Sequence, residues 1–211
     1  MPNTSKNAYG LTTLCPIING NVGDQSFASD TRDYLQENEM SKKVISPMAK
    51  VPNTYLARFF VLNDTIYESH PHNLDHLKSK YLVFTSNFYG KRDVYIKGMW
   101  DAISDTIKQI WKHCVGFDEV TDANSFLGYI KKCQVETTYY FNGSTDDPLE
   151  EQLKSLYLKQ EFSDFAFEHQ GVSEEKLLDD FKSFIDRVKP DLAVPTWSAG
   201  AETLDTVVID K

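Results

Sequence analysis

Three histidines and an aspartate lie close together in one polar stretch of the sequence. His70, His72 and His76 fall within seven residues, with Asp75 among them. Imidazole nitrogens and carboxylate oxygens suit a borderline divalent metal such as zinc. The spacing matches no established metal motif, and a solvated loop between two strands explains the same residues. The sequence therefore offers a candidate metal site, with an ordinary polar loop as the alternative.

Arg58 lies in the middle of an apolar segment, residues 54–63, whose composition predicts a β-strand. Alternation along that strand puts Arg58 on one face with Leu56 and Phe60. A buried guanidinium there needs an acidic partner or an anionic ligand. Glu136 is predicted on the opposite edge of the sheet, too far away for a direct ion pair. We therefore expect either a carboxylate from a covering helix or a bound carboxylate-bearing ligand beside Arg58.

Polar side chains on two other predicted strands could orient such a ligand. Asn87 would place an amide on the third strand, and Tyr140 would place a hydroxyl on the fourth. Small-molecule sites are usually built from a few convergent polar groups in an apolar pocket. Arg58, Glu136, Asn87 and Tyr140 are therefore the candidate ligand-binding residues, and a purely structural role in the strands is the alternative.

Two further histidines adjoin apolar helical segments. His113 lies near the C-terminal end of a predicted helix at residues 91–114, where the helix dipole favours a cation. It is the candidate catalytic residue, as a general base, and its alternatives are a haem ligand or a cap at the edge of the core. His169, close to Phe165, could also ligate haem, but the chain has no CxxCH attachment motif.

The cysteines predict the redox environment. Cys15, Cys114 and Cys133 are an odd number and include no CxxC pair, so their spacing is typical of neither a disulfide framework nor a zinc knuckle. Cys114 falls on the apolar face of the predicted helix and is interpreted as a small hydrophobe. A reducing compartment, the cytoplasm, is the expectation.

The composition argues against two classes of partner. The chain has 211 residues, of which 41% are hydrophobic and 25% charged, as in an ordinary globular protein. The net charge of -9 argues against a nucleic-acid surface, because such surfaces need clustered lysine and arginine. No run approaches the roughly 20 apolar residues that span a bilayer, so no membrane partner is expected.

Hydrophobic periodicity predicts the element order β-α-β-β-α-(α)-β-α-α. The predicted strands are residues 11–18, 54–63, 81–90 and 134–142, and the predicted helices begin near Asp24, Lys91, Ala123, Pro148 and Ser173. Residues 1–8 are expected to be frayed. This order predicts an α+β fold, a ferredoxin-like βαββαβ antiparallel sheet with helices on one face and extra C-terminal helices.

We expect one domain over residues 1–211. The ferredoxin-like core would take residues 8–145, a C-terminal helical extension residues 148–190, and a tail residues 191–211. The second face of the sheet has to be hidden by a ligand pocket, by a partner subunit or by the C-terminal helices, because a large exposed apolar face promotes aggregation.

Four segments resemble a family of bacterial proteins of uncharacterised function. They are TTLCPIING at 12–20, residues 52–64 with LARF at 56–59, LVFTSNFYG at 82–90, and IWKHCVGF at 110–117. The resemblance extends over roughly residues 10–142 and implies a ferredoxin-like domain. That fold is shared with dimeric α+β barrel proteins and with haem-binding groups such as the dye-decolourising peroxidases and chlorite dismutases. Haem is thus a possible cofactor by analogy with those groups.

Three functions follow as expectations. The first is a small-molecule-binding protein or accessory enzyme, with its pocket on the open sheet face at Arg58, Asn87 and Tyr140. The second is a haem-dependent oxidoreductase of the dimeric α+β barrel type. The third is a non-catalytic dimerisation module, a homodimer in which the open face forms the interface.

Overall fold

The computed structural model describes residues 3–37, 46–65, 76–143 and 147–188 and shows an α+β arrangement. Within these residues, four antiparallel strands form one sheet in the order β1-β2-β6-β5, and two very short strands form a separate hairpin, β3-β4. The strands are β1 Thr4–Ser5, β2 Ala8–Pro16, β3 Asn21–Val22, β4 Gln25–Ser26, β5 Thr54–Leu62 and β6 Tyr81–Tyr89. The helices are α1 Phe27–Glu37, α2 Arg92–Trp111, α3 Ala123–Cys133, α4 Leu149–Glu168 and α5 Glu174–Arg187.

The sheet buries one face because its strands alternate between apolar and more polar side chains. β2 and β6 pair antiparallel from Ala8–Tyr89 to Pro16–Tyr81. Their side chains on one face form the core together with α1, α2 and α3. On β5 the opposite side chains, Leu56 and Phe60, are 46% and 47% exposed. We call the face that carries Leu56, Arg58, Phe60 and Asn87 the open face.

The long helix α2 confirms the helix that the apolar stripe in the sequence predicts. Its buried side chains recur at helical spacing and face the sheet. The backbone of Ile103 departs from helical geometry, with φ −140° and ψ 33°, so α2 is kinked near its middle. Trp111, at its C-terminal end, is fully buried.

Helix α1 begins later than the sequence indicated. The expected N-cap, Asp24, lies instead in the turn of the β3-β4 hairpin, where Gly23 adopts a positive φ of 59°. The helix starts at Phe27, and the Ser26 hydroxyl accepts a hydrogen bond from the Ser29 backbone N–H at 3.2 Å. A serine oxygen that accepts a bond from the first turn is a typical helix cap.

The fourth predicted strand, residues 134–142, is wrong. Gln134 forms a single antiparallel bridge with Thr13, and the backbone N–H of Val135 donates to the Thr12 carbonyl at 2.9 Å; beyond this the segment leaves the sheet. The reason lies at the N-terminus, which was expected to be frayed. β1 pairs with residues 8–9 at the start of β2 and so occupies the edge that the predicted strand needed.

Helices α4 and α5 are confirmed close to their predicted positions. They form their own small apolar cluster, in which Phe165, Phe184 and Val188 are buried and Tyr157 packs against them. The division of the chain into a single domain stays a prediction, and the expected tail lies outside the described residues. No helix in the described part of the chain is long and apolar enough to cross a membrane.

Candidate functional site

A cleft of about 670 Å³ lies at the edge of the sheet, beside the first turn of α2. It lies between the N-terminal segment with β1, the start of α2 and the chain that leaves α3. We call it the edge cleft, and its walls include Lys6, Tyr9, Lys91, Arg92, Asp93, Val94, Gln134 and Glu136.

One wall of the edge cleft is a continuous polar network. Gln134 Nε2 donates to the Tyr9 hydroxyl at 2.8 Å, and Gln134 Oε1 accepts from Arg92 Nη1 at 2.8 Å. Arg92 Nε also donates to Asp93 Oδ1 at 3.0 Å, and Lys131 Nζ donates to Asp93 Oδ2 at 2.6 Å. The bond from Lys131, followed by that from Arg92, lowers the pKa of Asp93. The network therefore holds these side chains in place before any ligand arrives.

Stacked aromatic rings support this wall from inside the core. Tyr9 stacks on Phe88 with ring centroids 5.2 Å apart, and Phe88 stacks on Tyr95 at 3.7 Å. The Tyr95 hydroxyl lies 2.8 Å from Ser86 Oγ and 3.0 Å from Thr54 Oγ1. Burial raises the pKa of Tyr95, so its phenol stays neutral. Tyr9 is thus backed by packed, uncharged aromatic side chains on the core side of the edge cleft.

The first turn of α2 supplies a positive side to the edge cleft. Gly90 has a positive φ of 94°, which lets the chain turn sharply from β6 into the helix. Lys91 is the N-cap, and its side chain makes no capping bond to the first turn. Backbone N–H groups at a helix start carry partial positive charge, and Lys6 and Lys91 line the same cleft. A smaller cavity of about 270 Å³ adjoins this turn through Gly90, Lys91 and Val94.

The structure divides the four predicted ligand-binding residues between two places. Glu136 lines the edge cleft. Asn87 is paired with Gly10 of β2 and with Leu56 of β5, so it lies on the open face. The ring of Tyr140 covers Gly10 so closely that an added Cβ would lie 2.8 Å from it. Tyr140 and Asn87 therefore both lie beside Gly10, whereas Glu136 lines the edge cleft.

The expected burial of Arg58 is wrong. The residue is exposed on the open face, and its Nε donates to Thr85 Oγ1 at 3.3 Å. No acidic side chain among the described residues forms an ion pair with it. The physical reason is that β5 is an edge strand whose second face is open to water, so its guanidinium needs no buried partner. A role for Arg58 in ligand binding stays a prediction.

His113 joins α1 to the end of α2. Its Nε2 lies 2.7 Å from Asp30 Oδ2, and its ring stacks on Phe27 at 4.2 Å. Lys112 Nζ lies 2.7 Å from the same carboxylate. Hydrogen bonds from Lys112 and then His113 lower the pKa of Asp30. These contacts link α1 to the end of α2 at the edge of the core. The role of His113 as a general base stays a prediction.

His169 has both ring nitrogens in hydrogen bonds. Its Nδ1 lies 2.7 Å from the Phe165 carbonyl, and its Nε2 lies 3.1 Å from Asp180 Oδ2. Both nitrogens are therefore engaged within the α4-α5 pair, although a haem iron would need one of them. Haem binding has no supporting contact at this residue and stays a prediction.

The candidate metal site can be followed only in part. His70 and His72, with Asp75, lie outside the described residues. His76 Nδ1 lies 2.7 Å from Asp64 Oδ2, an exposed pair beside β5. Asp64 also accepts from the backbone of Leu77 and Thr65, and the Leu77 bond, followed by His76, lowers its pKa to about 2. Among the described residues, no group of three or more His, Cys, Asp and Glu side chains is arranged to hold a metal ion.

Comparison with known proteins adds no assignment. No family model, no curated protein and no solved structure matches this chain. The resemblance to ferredoxin-like bacterial proteins therefore stays a prediction.

Sequence reasoning missed most of the edge cleft. Tyr9, Arg92 and Gln134 are distant in sequence and belong to no known motif. One signal was available: Gly90 is followed by Lys91 and Arg92 at the predicted start of a helix, a place where backbone N–H groups and basic side chains favour anions.

Proposed function

We propose that this chain is a small-molecule-binding protein or accessory enzyme whose ligand occupies the edge cleft. The observation that carries the proposal is the polar network of Asp93, Arg92, Gln134 and Tyr9, which forms one wall of a 670 Å³ cavity and which Lys131 joins from outside the cavity through Asp93. A cavity of this size with a few fixed polar groups is typical of ligand sites. The open face at Arg58 offers exposed side chains instead.

The charges of the edge cleft favour a ligand with an anionic group. The charge of Asp93 is offset by Arg92 and Lys131, which both bind it. Lys91 and the start of α2 add positive charge beside the cleft, and Glu136 opposes them. The ring of Tyr9 and the side chain of Val94 add apolar surface. We therefore propose a small carboxylate with an apolar body as the ligand class.

We also propose that the sheet is a ferredoxin-like sheet with a shortened fourth strand. The strand order β2-β6-β5 and the antiparallel pairing support this arrangement. The bridge between Thr13 and Gln134 puts the chain after α3 beside β2, where the fourth strand of that topology would lie. The edge cleft then lies where the strand fails to continue.

Filling the edge cleft should remove ligand binding without unfolding the protein. The side chain of Val94 is 70% exposed and lines the cleft, so Val94→Trp should fold normally while its indole occupies ligand space. With benzoate as the probe in isothermal titration calorimetry, we expect at least a roughly ten-fold weaker affinity, a loss of about 1.4 kcal/mol. Benzylamine should bind the unaltered protein more weakly than benzoate.

Two matched variants control this experiment. Val115→Trp places the same indole at a 51% exposed site outside the cleft, and Arg58→Ala removes the cation of the open face. Both should bind benzoate like the unaltered protein. If Val94→Trp binds benzoate normally and Arg58→Ala does not bind it, the ligand site lies on the open face instead.

The dimerisation alternative has one observation in its favour. Leu56 and Phe60 expose nearly half of their surface on the same face of β5. If this face joins two copies, sedimentation velocity should show a dimer. Phe60→Lys should shift the dimer to monomer, because burying a charged lysine side chain in the interface costs free energy. Phe167→Lys, at an exposed site on α4, should leave the dimer intact. If the unaltered protein sediments as a monomer, the dimerisation alternative is excluded.

A further inference from the structure

The smaller cavity beside the first turn of α2 is continuous with the edge cleft. Its volume is about 270 Å³, and it shares Gly90, Lys91 and Val94 with the edge cleft. We call it the side cavity. Its other walls are Pro52, Asn53, Tyr89, Tyr95 and Gly98. Lys91 is the one charged residue among these walls, so the side cavity is the more apolar of the two spaces.

The end of β6 lies between the two cavities. The Gly90 N–H donates to the Asn7 carbonyl at 2.7 Å, and Asn7 lines the edge cleft. The N–H of the preceding residue, Tyr89, donates to the Asn53 carbonyl at 3.1 Å, and Asn53 lines the side cavity. Gly90 places no side chain at this junction, and an added Cβ would have no heavy atom within 4 Å apart from its chain neighbours. The passage from one cavity to the other is therefore open.

Tyr95 gives the side cavity a fixed apolar wall. Its side chain is buried, its ring stacks on Phe88, and its hydroxyl is bonded to Ser86 and Thr54. These contacts set the position of the ring before any ligand arrives. The side cavity is thus formed by the folded chain itself.

Gly98 leaves space open inside a helix. It lies within α2, where a glycine destabilises the helix relative to alanine. Packing does not require a glycine there, because an added Cβ would have no heavy atom within 4 Å beyond its own helix backbone and chain neighbours. The space belongs to the side cavity. A ligand that uses this volume explains a residue that the helix alone disfavours.

We propose that the side cavity binds the apolar end of the ligand whose carboxylate lies in the edge cleft, so that the ligand class is an elongated monocarboxylate with an aromatic or alkyl tail. This inference rests on the proposed function of the edge cleft. The carboxylate lies beside Lys91 at the start of α2, and the tail passes Gly90 and ends against Tyr95 and Gly98. An apolar cavity of about 150 Å³ is enough to hold benzene, so the side cavity has room for an aromatic ring.

Two carboxylic acids of different length test this proposal by isothermal titration calorimetry on the full chain. Benzoate occupies the edge cleft alone, whereas phenylvalerate carries its ring on four methylenes and reaches both cavities. Each buried methylene raises affinity by up to about four-fold, and the ordering of the linker offsets part of this gain. We therefore expect phenylvalerate to bind the unaltered protein at least about ten-fold more tightly than benzoate.

Two glycine variants show where the tail binds. Gly98→Leu fills the side cavity and leaves the edge cleft, which Gly98 does not line. It should bind benzoate like the unaltered protein and lose most of the gain of phenylvalerate over benzoate. Gly128→Leu is the matched control, because Gly128 is also a partly buried helix residue with open space at its Cβ, and it lines neither cavity. It should keep the full gain.

Backbone amide shifts of the unaltered protein cover the case in which Gly98→Leu fails to fold. Saturating phenylvalerate should shift the amides of Asn53 and Gly98, which saturating benzoate should leave unchanged. If benzoate binds but phenylvalerate binds no more tightly, if these amides do not shift, or if a folded Gly98→Leu keeps the gain, the inference is overturned and the edge cleft remains the proposed site. If neither acid binds the unaltered protein, the proposed function fails and this inference fails with it.

Discussion

Replacing Trp111 with alanine is expected to lower the free energy of unfolding by about 3–5 kcal/mol, the usual range when a large buried aromatic side chain is removed. Trp111 is fully buried at the end of α2. Its ring meets Phe59, Phe84 and Phe126 edge-on, with centroids 5.6–5.7 Å apart. Its indole N–H also donates to Cys15. The substitution would leave a cavity where the sheet meets α2 and α3.

Urea unfolding followed by circular dichroism measures this loss. Natural domains are stable by about 5–15 kcal/mol, so Trp111→Ala should lose a large share of the total and unfold at a clearly lower urea concentration. Trp111→Phe keeps an aromatic ring and should lose clearly less. Val115→Ala, at a half-exposed site nearby, should change stability by less than about 0.5 kcal/mol. A Trp111→Ala protein within about 1 kcal/mol of the unaltered chain would show that this contact is not the centre of the core.

Replacing Asn3 with leucine is expected to cost about 2–3 kcal/mol, a large effect for a residue so close to the N-terminus. Asn3 is buried, and its Nδ2 donates to the Gly10 carbonyl at 3.0 Å and to Thr137 Oγ1 at 3.1 Å. Its Oδ1 accepts from the Thr137 backbone N–H at 3.4 Å. Leucine has a similar size but makes none of these bonds, so β1 and the chain after α3 lose their common anchor.

Amide hydrogen exchange locates this effect. Asn3→Leu should increase exchange at the edge of β2 next to β1 and leave β5 and β6 protected. Asn21→Leu, at an exposed position of the β3-β4 hairpin, is the matched control and should have stability within about 0.5 kcal/mol of the unaltered protein. Unchanged exchange at the β2 edge would mean that Asn3 does not anchor it.

The sequence predicts the elements whose pattern is local. β5 and β6 are recognisable because β-branched and aromatic residues concentrate in them, and α2 because its apolar residues recur at helical spacing. Helix α3 begins at the predicted Ala123, where the structure shows that the Asp122 carboxylate accepts from the Ser125 backbone N–H and the Ser125 hydroxyl accepts from the Asp122 backbone N–H. Such patterns need no knowledge of distant residues.

The errors arise where distant segments compete for one position. Residues 134–142 have the composition of a strand, but β1 already pairs with the edge that they would need. Arg58 follows strand alternation correctly, yet alternation cannot show whether its face is covered. The edge cleft depends on where β1, the start of α2 and the end of α3 lie relative to one another. These are tertiary contacts, which periodicity along the chain does not contain.

The proposal that the edge cleft binds the ligand is tested most directly by a benzoate titration of the ¹⁵N-labelled protein. The titration follows the backbone amide chemical shifts. We expect saturable shifts that concentrate at Tyr9, Val94 and Gln134 and are absent in Val94→Trp. Saturable shifts centred on Leu56, Arg58 and Asn87, with Tyr9 and Gln134 unchanged, would contradict the account and return the ligand to the open face.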